Sequence, residues 1–207
     1  MNDNIKFIYL DVGGVVVLDF SKTNNWIEMT KALGVNEFNR KKFDNIFFEF
    51  EPKICVNKKT LGEFIDAVNN ELKLNISKDY SMLDDFVNRF ESNISINPIL
   101  LRLSKNYKLG LLTNMYPGMF DKIRARKILP EVRWDIIIDS SVVGCMKPQD
   151  NIYELAEKKV NSNPKNILFI ENTITHINAA KKRGWKTLLY DPANISSSNS
   201  ALEKMLF

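Results

Sequence analysis

Histidine and cysteine are nearly missing from this chain of 207 residues, which holds one His and two Cys. A lone His176 excludes any mechanism that needs two imidazoles. Cys55 and Cys145 lie far apart and belong to no metal-ligand spacing, and no charged-then-apolar leader follows Met1, so the expected compartment is the reducing cytoplasm. No apolar run approaches the roughly 20 residues needed to span a bilayer, so no membrane partner is expected. Runs of like charge are also missing. Its 29 Lys and Arg are spread along the sequence with 25 Asp and Glu, for a net charge of +4. That pattern gives nucleic acid no basic patch to bind, and at most a general attraction for anionic substrates remains. There is no internal repeat and no low-complexity block. Three Asn-Ile-Ser triplets, at Asn75, Asn93 and Asn194, match a glycosylation acceptor, but with no secretory leader they read as chance in an Asn-rich sequence.

What is present is an ordinary globular composition, 44% hydrophobic and 26% charged. Such a length supports one sizeable core, or a core with a smaller inserted domain. The most informative stretch is Phe7-Ile-Tyr-Leu-Asp11-Val-Gly13-Gly14. Its apolar run is continuous, as in a central parallel strand covered on both faces, and it ends in a carboxylate at the rim where such sheets bind ligands. Gly13 and Gly14 let the backbone turn sharply and leave room beside Asp11 for a substrate.

From about Ser21 to Arg89 the pattern is helical. Trp26, Met29, Thr30 and Leu33 form one stripe ending at Gly34, Leu61, Phe64, Ile65, Val68 and Leu72 a second, and Leu83, Phe86, Val87 and Phe90 a third. Phe43, Phe47, Phe48 and Phe50 are expected to pack among them, or to form a dimer face, so monomer and homodimer both stay open. From Asn97 helix and strand alternate. Asn97-Pro98 is expected to cap and start a helix. Strands are expected at 108–113, 135–139, 166–171 and 185–190, and a helix after Pro148 carries Ile152, Leu155, Ala156 and Val160 on one face. Ser196 to Ser200 reads as a polar loop before a short terminal helix. The resulting fold class is α/β, a doubly wound, five-stranded parallel Rossmann-like sheet with an inserted α-helical cap. The expected division is a core of residues 1–18 and 96–207 and a cap of residues 19–95.

The strand ends and following loops supply Asp11, Thr113 with Asn114, Lys147, and Glu171 with Asn172. A nucleophilic carboxylate, a hydroxyl with backbone N–H groups for phosphate oxygens, a lysine to offset charge and an acidic motif for a metal form a phosphoryl-transfer set. The order and context of these motifs resemble the haloacid dehalogenase-like superfamily. Phe7 to Val15 fits its first motif, Leu109 to Asn114 its second, Lys147-Pro148 its third and Ile167 to Asn172 its fourth. That resemblance implies Asp11 as a nucleophile forming an aspartyl-phosphate with Mg²⁺. It also implies that Thr113 and the Asn114 backbone hold phosphoryl oxygens, and that Lys147 steadies the carboxylate and the transferring group. The metal would take Asp11, the Gly13 carbonyl, Glu171 and Asn172. The cap would close over a small phosphorylated metabolite.

Two positions depart from that pattern. Phosphatase members usually carry a second Asp two residues after the nucleophile, to protonate the leaving alcohol; here it is Gly13, and losing such a group costs about 10² to 10⁴ in rate. Asp19, Glu49 and Glu51 are the candidate substitutes. Asn172 stands where relatives have a carboxylate, which implies a weakened Mg²⁺ site. His176 is expected on the surface or against a helix. Three functions fit these residues: a Mg²⁺-dependent phosphatase or phosphotransferase of reduced activity, an impaired member that binds a phosphorylated ligand or partner, and a metal-free dehalogenase-type hydrolase. The dehalogenase reading finds no Arg-and-aromatic halide cradle near the first strand.

Overall fold

The computed structural model describes residues 5–207. Five parallel strands form its sheet: β1 (Phe7–Leu10), β4 (Lys108–Thr113), β5 (Ile136–Asp139), β6 (Ile167–Glu171) and β7 (Lys186–Leu189). Their order is β5-β4-β1-β6-β7. β1 lies at the centre because the chain winds outward from it in both directions. A crevice opens at the carboxyl ends of strands at such a reversal. All four residues of β1 are buried, with Ile8 and Leu10 in the core on one face and Phe7 and Tyr9 in the core on the other. Burial of both faces is why the run shows no polar alternation.

Helices α1 (Asn25–Ala32), α2 (Arg40–Cys55), α3 (Leu61–Leu72) and α4 (Met82–Asn88) lie between β1 and β4. Their aromatic stripes meet. The Trp26 and Phe47 rings lie 4.4 Å apart, and Phe43 and Phe64 5.5 Å. A two-stranded antiparallel ribbon, β2 (Val17–Leu18) with β3 (Glu91–Ser92), brackets these helices at their entry and exit. Two residues per strand are too few to show a period, so the sequence gives no sign of it. The inserted helices also touch the sheet domain. α4 packs on α6 (Met119–Ala125), and α2 on the short α7 (Ser140–Val143).

The remaining helices are α5 (Asn97–Leu103), α8 (Asp150–Val160), α9 (Ile174–Lys182) and α10 (Ile195–Leu206). Two expectations need correction here. Asn97 is not the cap of α5. A 3-10 turn, Ile94–Ile96, runs into the helix, so Ile96 takes the cap position and the Asn97 side-chain oxygen is buried without a partner. Ser196 to Ser200 is not a loop either; it lies within α10. Two of its polar groups face inward: Ser198 Oγ accepts from Asp191 N at 2.8 Å, and Asn199 accepts from Tyr190 Oη at 2.8 Å and donates to Ser95 Oγ at 3.1 Å. These tertiary bonds override the turn preference of serine and asparagine. Asn93 is buried and donates to Val15 O at 2.7 Å, which leaves no room for a glycan. Among the described residues, no helix is long and apolar enough to cross a membrane.

Candidate active site

β1 delivers Asp11 to the crevice, where Asp11 N extends the ladder to Ile170 O at 2.9 Å. The loop after α7 brings Lys147 beneath it. Lys147 Nζ lies 3.0 Å from Asp11 Oδ1 and 2.6 Å from Glu171 Oε2. Lys147 and Glu171 side chains are both 0% exposed, so this is a buried pair in which each charge depends on the other. Asn114 fixes the lysine: Lys147 N donates to Asn114 Oδ1 at 2.9 Å, and Asn114 Nδ2 donates to Lys147 O at 2.9 Å. That reciprocal clamp explains why the loop between β5 and α8 must meet the tip of β4. The ammonium also lies 5.3 Å from the centre of the Phe169 ring.

Glu171 is held on all sides. Oε1 accepts from Thr173 N at 2.8 Å, and Oε2 faces His176 Nδ1 at 3.1 Å besides Lys147. Burial raises its pKa, but the Lys147 ammonium and His176 outweigh burial and hold it at about 2. Asp11 goes the other way. Burial and the Glu171 charge push its carboxyl up to about 7, against the pull of Lys147 and the Val12 N–H. The expected surface or helix-facing place for His176 is therefore corrected: its ring touches the site, on the acid behind the nucleophile.

The glycines are explained by what crosses them. A Cβ on Gly13 would lie 2.3 Å from Asp19 Oδ2, and one on Gly14 would lie 2.0 Å from Asn172 Nδ2. Gly14 also has φ +73°, which a side chain would strain. The carboxylate of Asp19 therefore fills the space in which a side chain at position 13 would begin. Asp19 Oδ1 accepts from Ser21 N at 2.9 Å, and Ser21 Oγ accepts from Asn172 Nδ2 at 3.0 Å. Burial raises the Asp19 carboxyl above the usual carboxylate range in spite of the Ser21 bonds. Of the three substitutes named from the sequence, Glu49 is exposed and paired with Lys53 at 3.0 Å, whereas Asp19 and Glu51 line the cavity over Asp11.

That cavity holds about 500 Å³. Its floor includes Asp11, Gly13, Asn114, Asn172 and His176, and its walls come from the inserted helices and the β4–α6 loop. Lys147 and Glu171 lie beneath the floor, fully buried. Thr113 ends β4 almost fully buried, and neither it nor Gly14 lines the cavity. Ser21, which links Asp19 to Asn172, carries no signal in the sequence, because a serine in a loop is unremarkable until its neighbours are known.

Asp11 and Glu171 flank one ammonium and Asp19 adds a third carboxyl group in the cavity above it, so acids outnumber the cation at this floor. Such a floor repels a phosphate and attracts a divalent cation. Asp11, the Gly13 carbonyl and the Asn172 amide oxygen offer the hard oxygen donors that Mg²⁺ takes, with water and substrate completing the shell. Among the described residues no three His, Cys, Asp or Glu side chains form a ready cage. The donor set fits an ion shared with a substrate.

A buried lysine between two strand-tip acids, under a cavity at the reversal point of a doubly wound sheet, defines a Rossmann-like α/β protein with its candidate active site at the end of β1. The chain belongs to the haloacid dehalogenase-like hydrolase family, whose model matches residues 5–184. No curated protein matches the sequence. Among solved structures, an aspartate-to-alanine mutant of a HAD family enzyme of Bacteroides thetaiotaomicron, in complex with magnesium and inorganic phosphate, is similar at TM-score 0.72 and 19% identity. That match covers 89% of this chain and 93% of the other. A predicted HAD-like hydrolase of Porphyromonas gingivalis is similar at TM-score 0.73 and 22% identity, over 96% and 98%. An L-2-haloacid dehalogenase of Xanthobacter autotrophicus, with chloropropionic acid covalently bound, is similar at TM-score 0.61 and 19% identity, over 88% and 76%.

Proposed function

We propose that the protein is a Mg²⁺-dependent phosphomonoester hydrolase that works through an aspartyl-phosphate at Asp11, on a small metabolite admitted beneath the inserted helices acting as a cap. What carries this reading is the position of Asp19, whose carboxylate takes the space left by Gly13 and returns an acid to a site that lacks one in sequence. The magnesium-and-phosphate complex of the Bacteroides enzyme supports the choice of cofactor and substrate group.

Asp11 Oδ1 is held by Val12 N at 2.7 Å and by Lys147, which leaves Oδ2 to attack phosphorus. The P–O bond to the alcohol breaks as the P–O bond to Asp11 forms, and Asp19 gives its proton to the departing oxygen. Asp19 then takes a proton from water as that water attacks phosphorus, so inorganic phosphate leaves and Asp11 is regenerated. Lys147 stays charged throughout, because the acids on either side raise its pKa despite burial. Asp11, the Gly13 carbonyl and the Asn172 amide oxygen would hold Mg²⁺, which would offset the charge on the phosphoryl oxygens. Glu171, with its oxygens committed to Lys147, His176 and Thr173, holds the Lys147 ammonium in place beneath Asp11.

A haloacid is itself a carboxylate. The cavity is lined by Asp11, Asp19 and Glu51 and by no Lys or Arg, which disfavours the dehalogenase reading.

The test compares an aryl with an alkyl phosphate in the presence of Mg²⁺. Asp11→Asn abolishes both activities. Asp19→Asn lowers alkyl turnover by about 10² or more and aryl turnover far less, because an aryl oxide leaves without a proton. Equal losses on both substrates remove Asp19 from the proton path. No turnover by the wild type removes the hydrolase reading.

A further inference from the structure

Every ionisable side chain on the leaving-group side of the cavity is an acid or a weakly acidic phenol or thiol. Asp19 and Glu51 contribute carboxylates, Tyr116 a phenol and Cys55 a thiol, and the one base, His176, is held by Glu171 at the floor. The chain as a whole is cationic, at +4, so this acidity is local and not a consequence of composition. Glu51 is the unusual member. It sits on α2 and lines the cavity with Tyr116, burial raises its carboxyl above the usual range, and among the described residues it has no Lys, Arg or His partner. The other acids of α2 behave differently: Asp44 pairs with Arg40 and Glu49 with Lys53.

Around Glu51 the wall is aromatic, with Trp26, Phe47, Phe86 and Tyr116 inside and Phe48, 65% exposed, at the rim. Ring faces carry negative charge density and attract cations within about 6 Å. A second anion on a substrate would meet a carboxylate without a counter-ion, inside a low-dielectric wall. A cation would supply the counter-ion that Glu51 lacks and would lie against the rings.

We propose that the cavity selects a zwitterionic phosphomonoester, with its phosphoryl group at Asp11 and an amine or quaternary ammonium on a small apolar frame against Glu51 and the aromatic wall. This selectivity rests on the phosphomonoester reading for its orientation, but it can be measured without turnover. About 500 Å³ suits such a small organic phosphate.

The probes are three benzylphosphonates that differ only in the para group, aminomethyl, methyl or carboxylate, titrated calorimetrically with Mg²⁺ present. The aminomethyl compound binds about tenfold tighter than the methyl one, and the carboxylate at least about tenfold weaker, each step being about 1.4 kcal/mol. Glu51→Gln brings the aminomethyl compound to within about twofold of the methyl one, well under that step. Carboxylate binding as tight as aminomethyl, no binding of any of the three, or an aminomethyl preference that survives Glu51→Gln overturns the proposal. If Glu51→Gln does not fold, the order in the wild type decides alone. The matching benzyl phosphates separate the two ideas. Ordered phosphonate binding without hydrolysis removes the hydrolase and keeps the selectivity, whereas hydrolysis without order does the reverse.

Discussion

Lys147→Met removes the one cation that Asp11 and Glu171 share and leaves two acids at the bottom of the crevice without their common ammonium. The ammonium and Glu171 are wholly buried, so water does not replace the lost contact at 2.6 Å. Breaking a buried pair from one side costs about 3–5 kcal/mol. In a chain of this size each kcal/mol shifts the melting temperature by about 2–4 °C, so a fall of roughly 6–20 °C is expected near pH 8. The pH dependence has a definite sign. In the wild type Glu171 is held at about 2, below its ordinary value of 4.5, so its contribution is present above 4.5 and is lost as pH falls toward 2. Without the lysine, burial raises the same carboxyl, which then takes up a proton in mild acid and relieves the variant. The gap between wild type and Lys147→Met therefore narrows between about pH 8 and pH 4. Adding Glu171→Gln to Lys147→Met restores about 1–3 kcal/mol, because the two changes act on one contact. Thermal melts followed by circular dichroism at the two pH values read all of this. A loss under about 1 kcal/mol, or a double variant less stable than Lys147→Met alone, refutes the account of the buried pair.

Asp11→Asn raises the melting temperature near pH 8, because ionised Asp11 is disfavoured in the fold, its pKa being raised from 3.8 to about 7. That gain is full above about 7 and vanishes as pH falls toward 3.8, where wild-type Asp11 is protonated in both states; melts across this range check it. Gly13→Asp does not improve the enzyme, because its Cβ would meet Asp19 Oδ2 at 2.3 Å; it destabilises by about 1–3 kcal/mol, whereas Gly13→Asp with Asp19→Gly recovers alkyl phosphate turnover. Phe43→Ala, in the aromatic cluster of the inserted helices, costs about 3–5 kcal/mol in denaturant titration. Asn199→Ala breaks the bonds to Tyr190 and Ser95 and costs about 1–3 kcal/mol, which distinguishes a buried helix from a surface loop at 196–200.

The parallel core was legible because its central strands β1, β4 and β6 are buried on both faces, and two of them lead into residues that a buried strand cannot hold in its middle, Asp11 and Glu171. The helical stripes of the insertion were legible for a similar reason: periodicity survives wherever one face packs and the other is wet. The ribbon of Val17–Leu18 with Glu91–Ser92 was not, since strands that short carry no pattern. The helix over Ser196 to Ser200 was hidden because Ser198 and Asn199 are satisfied by Asp191, Tyr190 and Ser95, which only the folded chain brings near. At the site, the acid, the lysine and the Thr-Asn pair announce themselves by type and by place at strand ends. The role of Gly13 was read from the sequence as a loss. In the fold Gly13 is a vacancy into which Asp19 reaches, and a contact across six residues of irregular loop has no period to reveal it. His176 was expected on the surface or against a helix for the same reason: in the first turn of α9 it meets Glu171, and nothing about a single imidazole says which way it faces.

The central claim, a phosphoryl group carried on Asp11, is tested most directly by trapping. Borohydride added during turnover of an aryl phosphate with Mg²⁺ reduces an acyl phosphate to the alcohol, and peptide mass spectrometry then finds homoserine in place of aspartate at position 11. The account predicts that product in the wild type, with more of it in Asp19→Asn, where attack by water on the intermediate is slowed. Continuing hydrolysis with unmodified Asp11, or with the label on another residue, contradicts it.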